Sequence, residues 1–302
     1  MSGPAPRPFP PAWAGLVEAY LVAEAGAGRS PATIATRRGH LAFMARGLRC
    51  VPARVTTAGI LAWMGKQQWA IETRRSHRAT AVSFFGWAHR AGHLATNPAA
   101  GLPVMRAAAP APRPAPDAVW SPAIAGADAR VRLMLRLAAE AGLRRAEIAR
   151  VHRRDLTRGP AGAELLVHGK GGKLRVVPLG DDLAAAIADA LCQTYPVAKG
   201  VRLTDTLSDG VIRNHPIDGY LFPGTDDGHL SPRWVGKLMT GALPDHWTAH
   251  TLRHRFATRA YRGSRNLRAV QVLLGHSSVA TTERYTAVDD DEIRAAAMAA
   301  GC

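Results

Sequence analysis

Apolar side chains recur at every third or fourth position along the first hundred residues, which is the spacing that lines one face of an α-helix. Ser30 and Pro31 are typical of a helix start, because serine accepts a hydrogen bond from a free amide and proline needs no donor at the first position. Gly26 and Gly28 are expected to end the preceding helix. The pattern predicts four helices that form one small bundle, over about 13–25, 31–44, 57–64 and 72–91.

The pattern changes in the second half of the chain, where short strand-like runs join the helical ones. Residues 164–168 and 174–179 are such runs, and the glycines and lysines between them predict a hairpin with a flexible tip. Residues 195–220 show no pattern that assigns them. The fold expected is therefore mainly α, with a small β-hairpin or sheet in an α+β second domain. Its helices are expected over about 131–141, 145–151, 182–191, 232–238, 251–262 and 267–274.

Prolines interrupt both patterns near the middle of the chain. The run APAPRPAPD at 109–117 and its flanks hold little that could be buried, and such a composition is typical of an extended linker. The sequence therefore predicts three parts, which are a helical N-terminal domain over 1–104, a Pro-rich linker over 105–122 and a second domain over 123–302.

Charge narrows the choice of partner. The 302 residues carry 39 Lys and Arg against 23 Asp and Glu, a formal net charge of +16 that attracts polyanions such as DNA, RNA or acidic membranes. The excess is spread over both halves rather than gathered in one terminal block, so both domains are expected to touch the polyanion. The alternative is an arginine-rich composition that reflects a GC-rich genome.

The chain shows no sign of export or membrane insertion. It has no apolar stretch of the length that a signal peptide or a membrane span requires. Its three cysteines, Cys50, Cys192 and Cys302, are far apart and form no CxxC pair, so neither a disulfide nor a thiolate metal site is expected. We expect a cytoplasmic protein with reduced thiols and no membrane partner.

Four segments of the second domain place basic, imidazole and phenolic side chains in a fixed order: Arg, Lys, His-x-x-Arg, His and Tyr. Together they resemble the tyrosine recombinase family, which includes phage integrases and Xer-type recombinases. The resemblance covers about 125–290, and the N-terminal bundle is similar, less specifically, to the family's SAM-like core-binding domain. The four segments are AGLRRAEI at 141–148, HGKGGKLRVVPL at 168–179, HTLRHRFAT at 250–258 and LLGHSSVATTERYT at 273–286.

The resemblance implies that Arg144 and Arg253 grip the scissile phosphate. A guanidinium suits this role because its planar fork can bond two phosphate oxygens and keeps its charge. Arg145 is the neighbouring alternative, but on a helix it would point about 100° away. Glu147 matches the family's acidic position and is expected to hold a histidine or an arginine in place. The family often has serine where this chain has Ala146.

The same resemblance assigns two histidines to the site. His250, one helical turn before Arg253, is implied in proton transfer at the nucleophile and in phosphate contact. His276 is implied as a hydrogen-bond donor to the phosphate. His254 stands four residues after His250, a spacing that can also bind zinc, but no HExxH pattern and no third ligand accompany it. No metal is therefore expected.

A lysine on the hairpin tip is implied as the acid that protonates the leaving 5′ oxygen. Lys170 matches the family's Gly-Lys-Gly element better than Lys173, which is expected to touch the DNA backbone. Neighbouring arginines would lower the pKa of such a lysine and help it to release its proton. The glycines do not form a nucleotide-binding P-loop, because no Gly-Lys in the chain is followed by Ser or Thr.

Tyr285 is implied as the nucleophile. A phosphotyrosine ester keeps the energy of the broken bond for rejoining, so neither ATP nor another cofactor is expected. The family acts as a homotetramer on a double-stranded DNA recombination site, with an accessory directionality factor in some members. The tail over 289–300 is expected to be a helix that docks on a neighbouring protomer; packing on its own domain is the alternative.

The first domain offers basic side chains for DNA contact on two of its predicted helices. Phosphate contacts would make binding dependent on salt. The residues expected to contact DNA there are Arg37, Arg38, Arg74, Arg75 and Arg78.

The function expected is that of an integrase-type, site-specific DNA recombinase in the cytoplasm, associated with the nucleoid. About a dozen residues precede the first helix, so the extra arm-binding domain of larger integrases is not expected, and an Xer-type resolvase of chromosome or plasmid dimers fits equally. A topoisomerase-like enzyme with the same site is a further alternative. A DNA-binding regulator without catalysis is another, against which the complete set of six residues argues.

Overall fold

A computed structural model describes residues 8–105, 112–169, 171–192 and 219–275. The chain divides into two compact units, one up to Ala109 and the other from Pro110 onward. Of the residues expected to act in catalysis, Lys170, His276 and Tyr285 lie outside the described ranges, as does the tail over 289–300.

The N-terminal unit is a bundle of four helices, which confirms the prediction. Ser30 caps the second helix with its hydroxyl 3.4 Å from the amide of Thr33, and the hydroxyl of Thr56 caps the third helix 3.0 Å from the amide of Gly59. A short 3-10 turn, Pro52–Arg54, precedes the third helix. The four helices are α1 (Pro11–Gly26), α2 (Pro31–Leu48), α3 (Thr57–Gly65) and α4 (Ile71–Arg90).

Aromatic rings fill the core of this bundle. Trp13 of α1 stacks on Phe84 of α4 with ring centres 5.9 Å apart, and Tyr20 meets Phe84 edge to face at 5.3 Å. His77 lies flat between two other rings, 4.0 Å from Trp69 and 3.9 Å from His40. Because stacked rings bury large apolar areas, they fix α1, α2 and α4 against one another.

The C-terminal unit combines helices with one small sheet, as expected. Its helices are α5 (Asp117–Gly126), α6 (Ala129–Glu140), α7 (Arg145–Ala149), α8 (Asp181–Cys192), α9 (Pro232–Gly241), α10 (Ala249–Ser264) and α11 (Leu267–Leu274). Its strands are β1 (Leu156–Gly159), β2 (Gly162–His168), β3 (Leu174–Pro178) and β4 (Pro223–Asp226).

The first three strands form an antiparallel sheet in the order β1-β2-β3. The predicted hairpin is present as β2 and β3, with Leu165 opposite Val177 and His168 opposite Leu174. Gly171 and Gly172 both have φ near +75°, a left-handed conformation that favours glycine, and they allow the tight turn at the tip. Sequence inspection missed β1, because four residues with exposed Thr157 and Arg158 give no strand pattern.

Helix α6 lies at the centre of this unit. Met134, Leu135 and Leu137 are fully buried there. The helix packs against α10 on one side and against α8 and α9 on others. A central apolar helix of this kind fixes the positions of the shorter elements that carry the site.

The linker predicted over 105–122 is wrong in its C-terminal part. Helix α5 begins at Asp117 and includes Pro122. Val119, Trp120 and Ile124 pack on the core of the C-terminal unit, so apolar burial outweighs the single backbone hydrogen bond that Pro122 cannot donate.

Candidate active site

A basic, open cleft of about 800 Å³ lies between α7, α9 and the start of α10. Arg144, His250 and Arg253, three of the residues expected to act in catalysis, line it together. Three further cations share the cleft, Arg145, Arg233 and Lys237, and sequence inspection assigned a site role to none of them. Such a concentration of positive charge suits a phosphate diester.

Arg144 stands immediately before α7 rather than within it. It is the N-cap residue, and the carboxylate of Glu147 accepts from its backbone amide at 2.9 Å and from its Nη1 at 2.8 Å. Its side chain is 40% exposed, so the guanidinium is both held in place and accessible from the cleft. Two neighbouring residues of a helix point about 100° apart, and the sequence predicted this separation for Arg144 and Arg145. That prediction is wrong, because Arg144 lies before the helix.

Arg253 forms the floor of the cleft. Its side chain is only 2% exposed. The guanidinium donates to the carbonyl oxygen of Gly142 and, at 2.5 Å, to that of Leu274, so it joins the end of α11 to the turn before α7. Gly142 has φ of +65°, and a Cβ there would lie 2.5 Å from the ring of Phe256, so only glycine fits beside this arginine.

Glu147 is buried at the centre of a group of arginines. Burial raises the pKa of its carboxyl, but hydrogen bonds from the Arg175 side chain and the Arg144 amide outweigh burial and lower the pKa to about 2. Arg253 also approaches this carboxylate, at 3.7 Å. A carboxylate that stays charged can orient two cleft arginines without taking up a proton near neutral pH.

Arg175 on β3 is part of this group, and sequence inspection missed it. Its two terminal nitrogens donate to the Glu147 carboxylate at 2.9 and 2.7 Å, and its Nε donates to the carbonyl oxygen of Leu273 at 2.7 Å. The sequence does contain one signal that Arg175 is buried. Arg175 stands two residues before Val177, which is buried, and alternate residues of a strand face the same side. A charge on the buried face of a strand needs a partner.

His250 and His254 lie side by side on α10, with their Nε2 atoms 2.9 Å apart. Partial burial, and then the charges of Arg253 and Arg144, lower the pKa of His250 below its usual 6.5. Burial, and then His250 and Arg253, lower the pKa of His254 to about 4. Both imidazoles are therefore neutral near pH 7, which leaves His250 able to accept a proton.

Two of the remaining residues expected to act in catalysis follow described residues directly in the sequence. Lys170 follows Gly169 at the hairpin tip, and His276 follows Gly275 after α11. Gly169 precedes Lys170 and donates its amide to the carbonyl oxygen of Lys173 at 2.7 Å, and Lys173 itself is exposed. Helix α11 ends at Leu274, and its C-cap residue Gly275 immediately precedes His276 in the sequence. The placements of Lys170, His276 and Tyr285 belong to the part of the chain that the structure does not describe.

The arginines expected to contact DNA in the N-terminal unit all have partners within that unit. Arg37 pairs with Glu24, and Arg38 pairs with Glu18. Arg75 forms an exposed pair with Glu72.

Two of the N-terminal arginines support the backbone of the bundle. Arg74 donates to three backbone carbonyl oxygens, those of Met64, Gln67 and Trp69, and Arg78 donates to that of Leu102. Arg74 and Arg78 therefore stabilise the bundle, whereas Arg38 and Arg75 are exposed and can exchange a carboxylate for a phosphate.

Comparison with known proteins gives the family. The sequence profile described as the phage integrase family matches residues 121–292. A tyrosine recombinase XerC of Rhodospirillum centenum is 35% identical over 284 residues, covering 84% of this chain and 76% of that protein. The chain belongs to the tyrosine recombinase family. Another XerC, from Methylobacterium nodulans, is 38% identical over 207 residues, covering 63% of this chain and 58% of that protein.

Solved structures show the same recombinase fold. XerH bound to difH in a pre-cleavage complex has a TM-score of 0.66 and 17% identity, with 98% of each chain covered. A lambda integrase (75–356) dimer bound to a COC′ core site has a TM-score of 0.65 and 19% identity, covering 90% of this chain and 94% of that one. The fold of this recombinase is therefore one found in proteins bound to DNA.

Two further observations concern membranes and metals. No helix in the described parts of this recombinase is both long and apolar enough to cross a membrane. Within the same parts, no group of three or more His, Cys, Asp or Glu residues is arranged to hold a metal ion.

Proposed function

We propose that this recombinase cuts and rejoins duplex DNA at a specific site through a 3′-phosphotyrosyl intermediate. The observation that carries the proposal is the basic cleft in which Arg144, His250 and Arg253 meet. These three come from two separate segments of the sequence, and the fold brings them to one place. Family membership supports a phosphate diester as the substrate of this cleft.

The geometry supports a division of roles among these residues. Arg144, which is accessible, binds the non-bridging oxygens of the scissile phosphate, and Arg253 adds positive charge from the floor of the cleft. Both guanidiniums stay protonated while the phosphorane gains negative charge. Arg145, Arg233 and Lys237 bind the flanking DNA backbone from the cleft walls.

The chemical step is a transesterification. The Tyr285 oxygen attacks phosphorus and forms a new P–O bond as the bond from phosphorus to the 5′ oxygen breaks. His250 accepts the tyrosine proton, Lys170 gives a proton to the leaving 5′ oxygen, and His276 donates a hydrogen bond to the phosphate. The reverse step, with a 5′ hydroxyl from another strand, completes the exchange. One ester replaces another, so no external energy source is required.

The assembly that we propose is a homotetramer on two paired DNA sites. The N-terminal unit contributes DNA contacts through its exposed arginines, and the tail over 289–300 docks on a neighbouring protomer. An accessory directionality factor and a location at the nucleoid belong to the same proposal. Exchange between two sites requires four strand cuts, and four copies of one nucleophile supply them.

The curated relatives favour an Xer-type resolvase over an integrase as the specific role. Both relatives described above are named XerC, and the first matches most of this chain. An Xer-type enzyme joins two copies of one site, whereas an integrase joins two different sites. Recombination between two identical copies of a DNA site that the recombinase cleaves would support the Xer-type role, and a requirement for two different sites would support the integrase role.

The test of the mechanism is capture of the covalent adduct. The full chain is incubated with a pool of nicked duplexes of random core sequence, and protein that stays on the 3′ end in denaturant is isolated. We expect an adduct with the wild type and none with Tyr285→Phe. The matched control is Tyr261→Phe, because Tyr261 packs on the small core of α10 and α11 and does not line the cleft.

Three outcomes would change the proposal. No adduct with the wild type, or an equal adduct with Tyr285→Phe, would contradict the mechanism. An adduct without recombination between two sites would support the topoisomerase-like alternative instead. An adduct that is lost equally in Tyr261→Phe would mean that the Tyr285 effect reflects folding rather than chemistry.

A further inference from the structure

Residues 112–116, Pro-Arg-Pro-Ala-Pro, form an extended segment that lies along α10, and we call it the proline strap. Prolines occupy every second position, so the only backbone N–H groups in the strap belong to Arg113 and Ala115. Both donate to α10. The Arg113 amide donates to Nδ1 of His254 at 3.1 Å, and the Ala115 amide donates to the carbonyl oxygen of Thr251 at 3.2 Å.

Several contacts hold the strap in this position. The buried guanidinium of Arg255 donates to the carbonyl oxygen of Ala115 at 2.9 Å and pairs with Asp117. Ala115 is fully buried, and the guanidinium of Arg113 lies over the ring of Trp247 at 4.4 Å. The strap is therefore an ordered part of the C-terminal unit.

The strap determines which nitrogen of His254 carries a proton. A backbone amide can only donate, so Nδ1 of His254 must accept from Arg113. A neutral imidazole has one N–H and one accepting nitrogen, so the proton of His254 is on Nε2. That Nε2 lies 2.9 Å from Nε2 of His250 and points its N–H toward it.

The same reasoning extends to His250. Its Nε2 must accept the N–H of His254, so neutral His250 carries its proton on Nδ1. The lowered pKa values of both histidines are consistent with two neutral rings. Among the described residues, the charged groups that face His250 include Arg253 and Arg144, and both favour the neutral form.

We propose that the proline strap sets the tautomer of His250 through His254, so that His250 rests with its proton on Nδ1 and its Nε2 engaged. His254 is thus a positioning residue and the Arg113 amide is its anchor. This inference rests on the role of His250 in the proposed function. Resting His250 offers an N–H donor to a phosphate oxygen, and it receives a proton on Nε2 only after the contact with His254 opens.

The test uses nuclear magnetic resonance of the full chain labelled with ¹⁵N-histidine, without DNA, near pH 7.5. Long-range ¹H–¹⁵N correlations distinguish the protonated from the unprotonated ring nitrogen, and His250→Phe and His254→Phe spectra identify the two signals. We expect the Nε2–H form for His254 and the Nδ1–H form for His250. The opposite tautomer at either residue would overturn the proposal.

Matched variants of the strap separate the amide from the side chain. Arg113→Ala keeps the N–H and should keep both tautomers, whereas Arg113→Pro removes the N–H and should give mixed tautomers at His254 and His250. Ala115→Pro removes the other strap N–H, which does not contact His254, and should leave the tautomers unchanged. Identical spectra for Arg113→Pro and Arg113→Ala would overturn the proposal.

Two features keep the test decisive. If Arg113→Pro does not fold, the tautomers of the wild type can still overturn the proposal, because an amide that donates to Nδ1 of His254 is incompatible with a proton on that nitrogen. The spectra need no DNA and no catalysis, so an absent Tyr285 adduct with the expected tautomers would remove the proposed function and leave the strap contact in place. A Tyr285 adduct together with the opposite tautomers would overturn the strap proposal and leave the proposed function in place.

Discussion

Glu147 shows how one buried carboxylate organises the cationic cleft. It accepts from Arg144 on the cleft wall and from Arg175 on the sheet, and it lies 3.7 Å from Arg253 on the floor. A buried charge is stable only when its partners compensate for the water that it loses. The three arginines provide that compensation, and the carboxylate in turn keeps three positive charges from repelling one another.

We predict that Glu147→Gln weakens folding in a way that depends on pH. The folded pKa of Glu147 is about 2, below the reference value of 4.5, so its contribution is complete above pH 4.5 and is lost as the pH falls toward 2. The pH-dependent part amounts to about 3 kcal/mol. Urea unfolding at pH 7, 4 and 3 should show the gap between wild type and variant shrinking with pH.

The control for this prediction is Glu140→Gln. Glu140 pairs with Arg136 four residues earlier on the surface of α6, and loss of such a pair costs less than about 1 kcal/mol. A gap between wild type and Glu147→Gln that stayed constant from pH 7 to 3 would contradict the assigned ionisation of Glu147.

At the scale of elements, helix α4 carries two neighbouring arginines with different surroundings. Arg74 donates to three carbonyl oxygens that belong to α3 and to the loop before α4. Arg75 is exposed. Its one ion pair with a described residue is the pair with Glu72, one helical turn earlier. The sequence alone could not separate them, because both occur in one basic turn of a predicted helix.

We predict that Arg74→Ala lowers stability and that Arg75→Ala weakens DNA binding. Arg74→Ala leaves three carbonyl oxygens without a donor and should lower the free energy of unfolding by about 1–3 kcal/mol. Arg75→Ala should leave stability within about 1 kcal/mol of the wild type. It should also weaken DNA binding several-fold and reduce the salt dependence by about one phosphate contact. Thermal melting and binding titrations at several salt concentrations measure both effects.

The reverse result would decide against the DNA contact. If Arg75→Ala binds DNA as the wild type does at every salt concentration, α4 does not touch the DNA backbone through this residue. Arg38→Ala on α2 then tests the other exposed arginine among those expected to contact DNA, because it too pairs with a surface carboxylate, that of Glu18.

Regular amphipathic elements were predictable, and elements defined by tertiary contacts were not. The four N-terminal helices follow from apolar spacing and from caps such as Ser30, which are local features. Helix α5 was missed because Pro122 is a strong local signal for interruption, and only the burial of Trp120 and Ile124 against the core overrides it. Strand β1 was missed because it has only four residues, with Thr157 and Arg158 exposed, and gives no strand pattern although it pairs with the adjacent β2 across a tight turn.

The same distinction applies to the site. The residues expected to carry the family's chemistry were visible in the order of motifs, and the structure brings three of them, Arg144, His250 and Arg253, together. Arg175 and the proline strap were not recognised, because their roles come from partners that are far away in the sequence. Arg175 contacts Glu147 and Leu273, which lie 28 and 98 residues away.

The whole molecule carries a net charge of +16, and the cleft uses only part of it. We predict that DNA binding is governed largely by salt. Raising the salt concentration from about 50 to 200 mM should weaken binding to any duplex by roughly a thousandfold, the effect of about six phosphate contacts. Fluorescence anisotropy with a duplex of unrelated sequence measures the effect.

A duplex with the core sequence recovered from the covalent adduct is the comparison for this measurement. It should bind more tightly than the unrelated duplex, with nearly the same salt slope, because base contacts add affinity without releasing counterions. A change of less than tenfold over the same range of salt would mean that the surplus charge does not serve DNA binding.

The proline strap also fixes where this chain can be divided or recombined with a relative. Its two N–H groups reach α10 because they alternate with prolines, so inserting or deleting a single residue within 112–116 exchanges donors for prolines. A chimera that takes its N-terminal unit from another recombinase should therefore keep 112–116 with the catalytic unit. The junction belongs before Pro112, although composition alone would place it anywhere in the Pro-rich run.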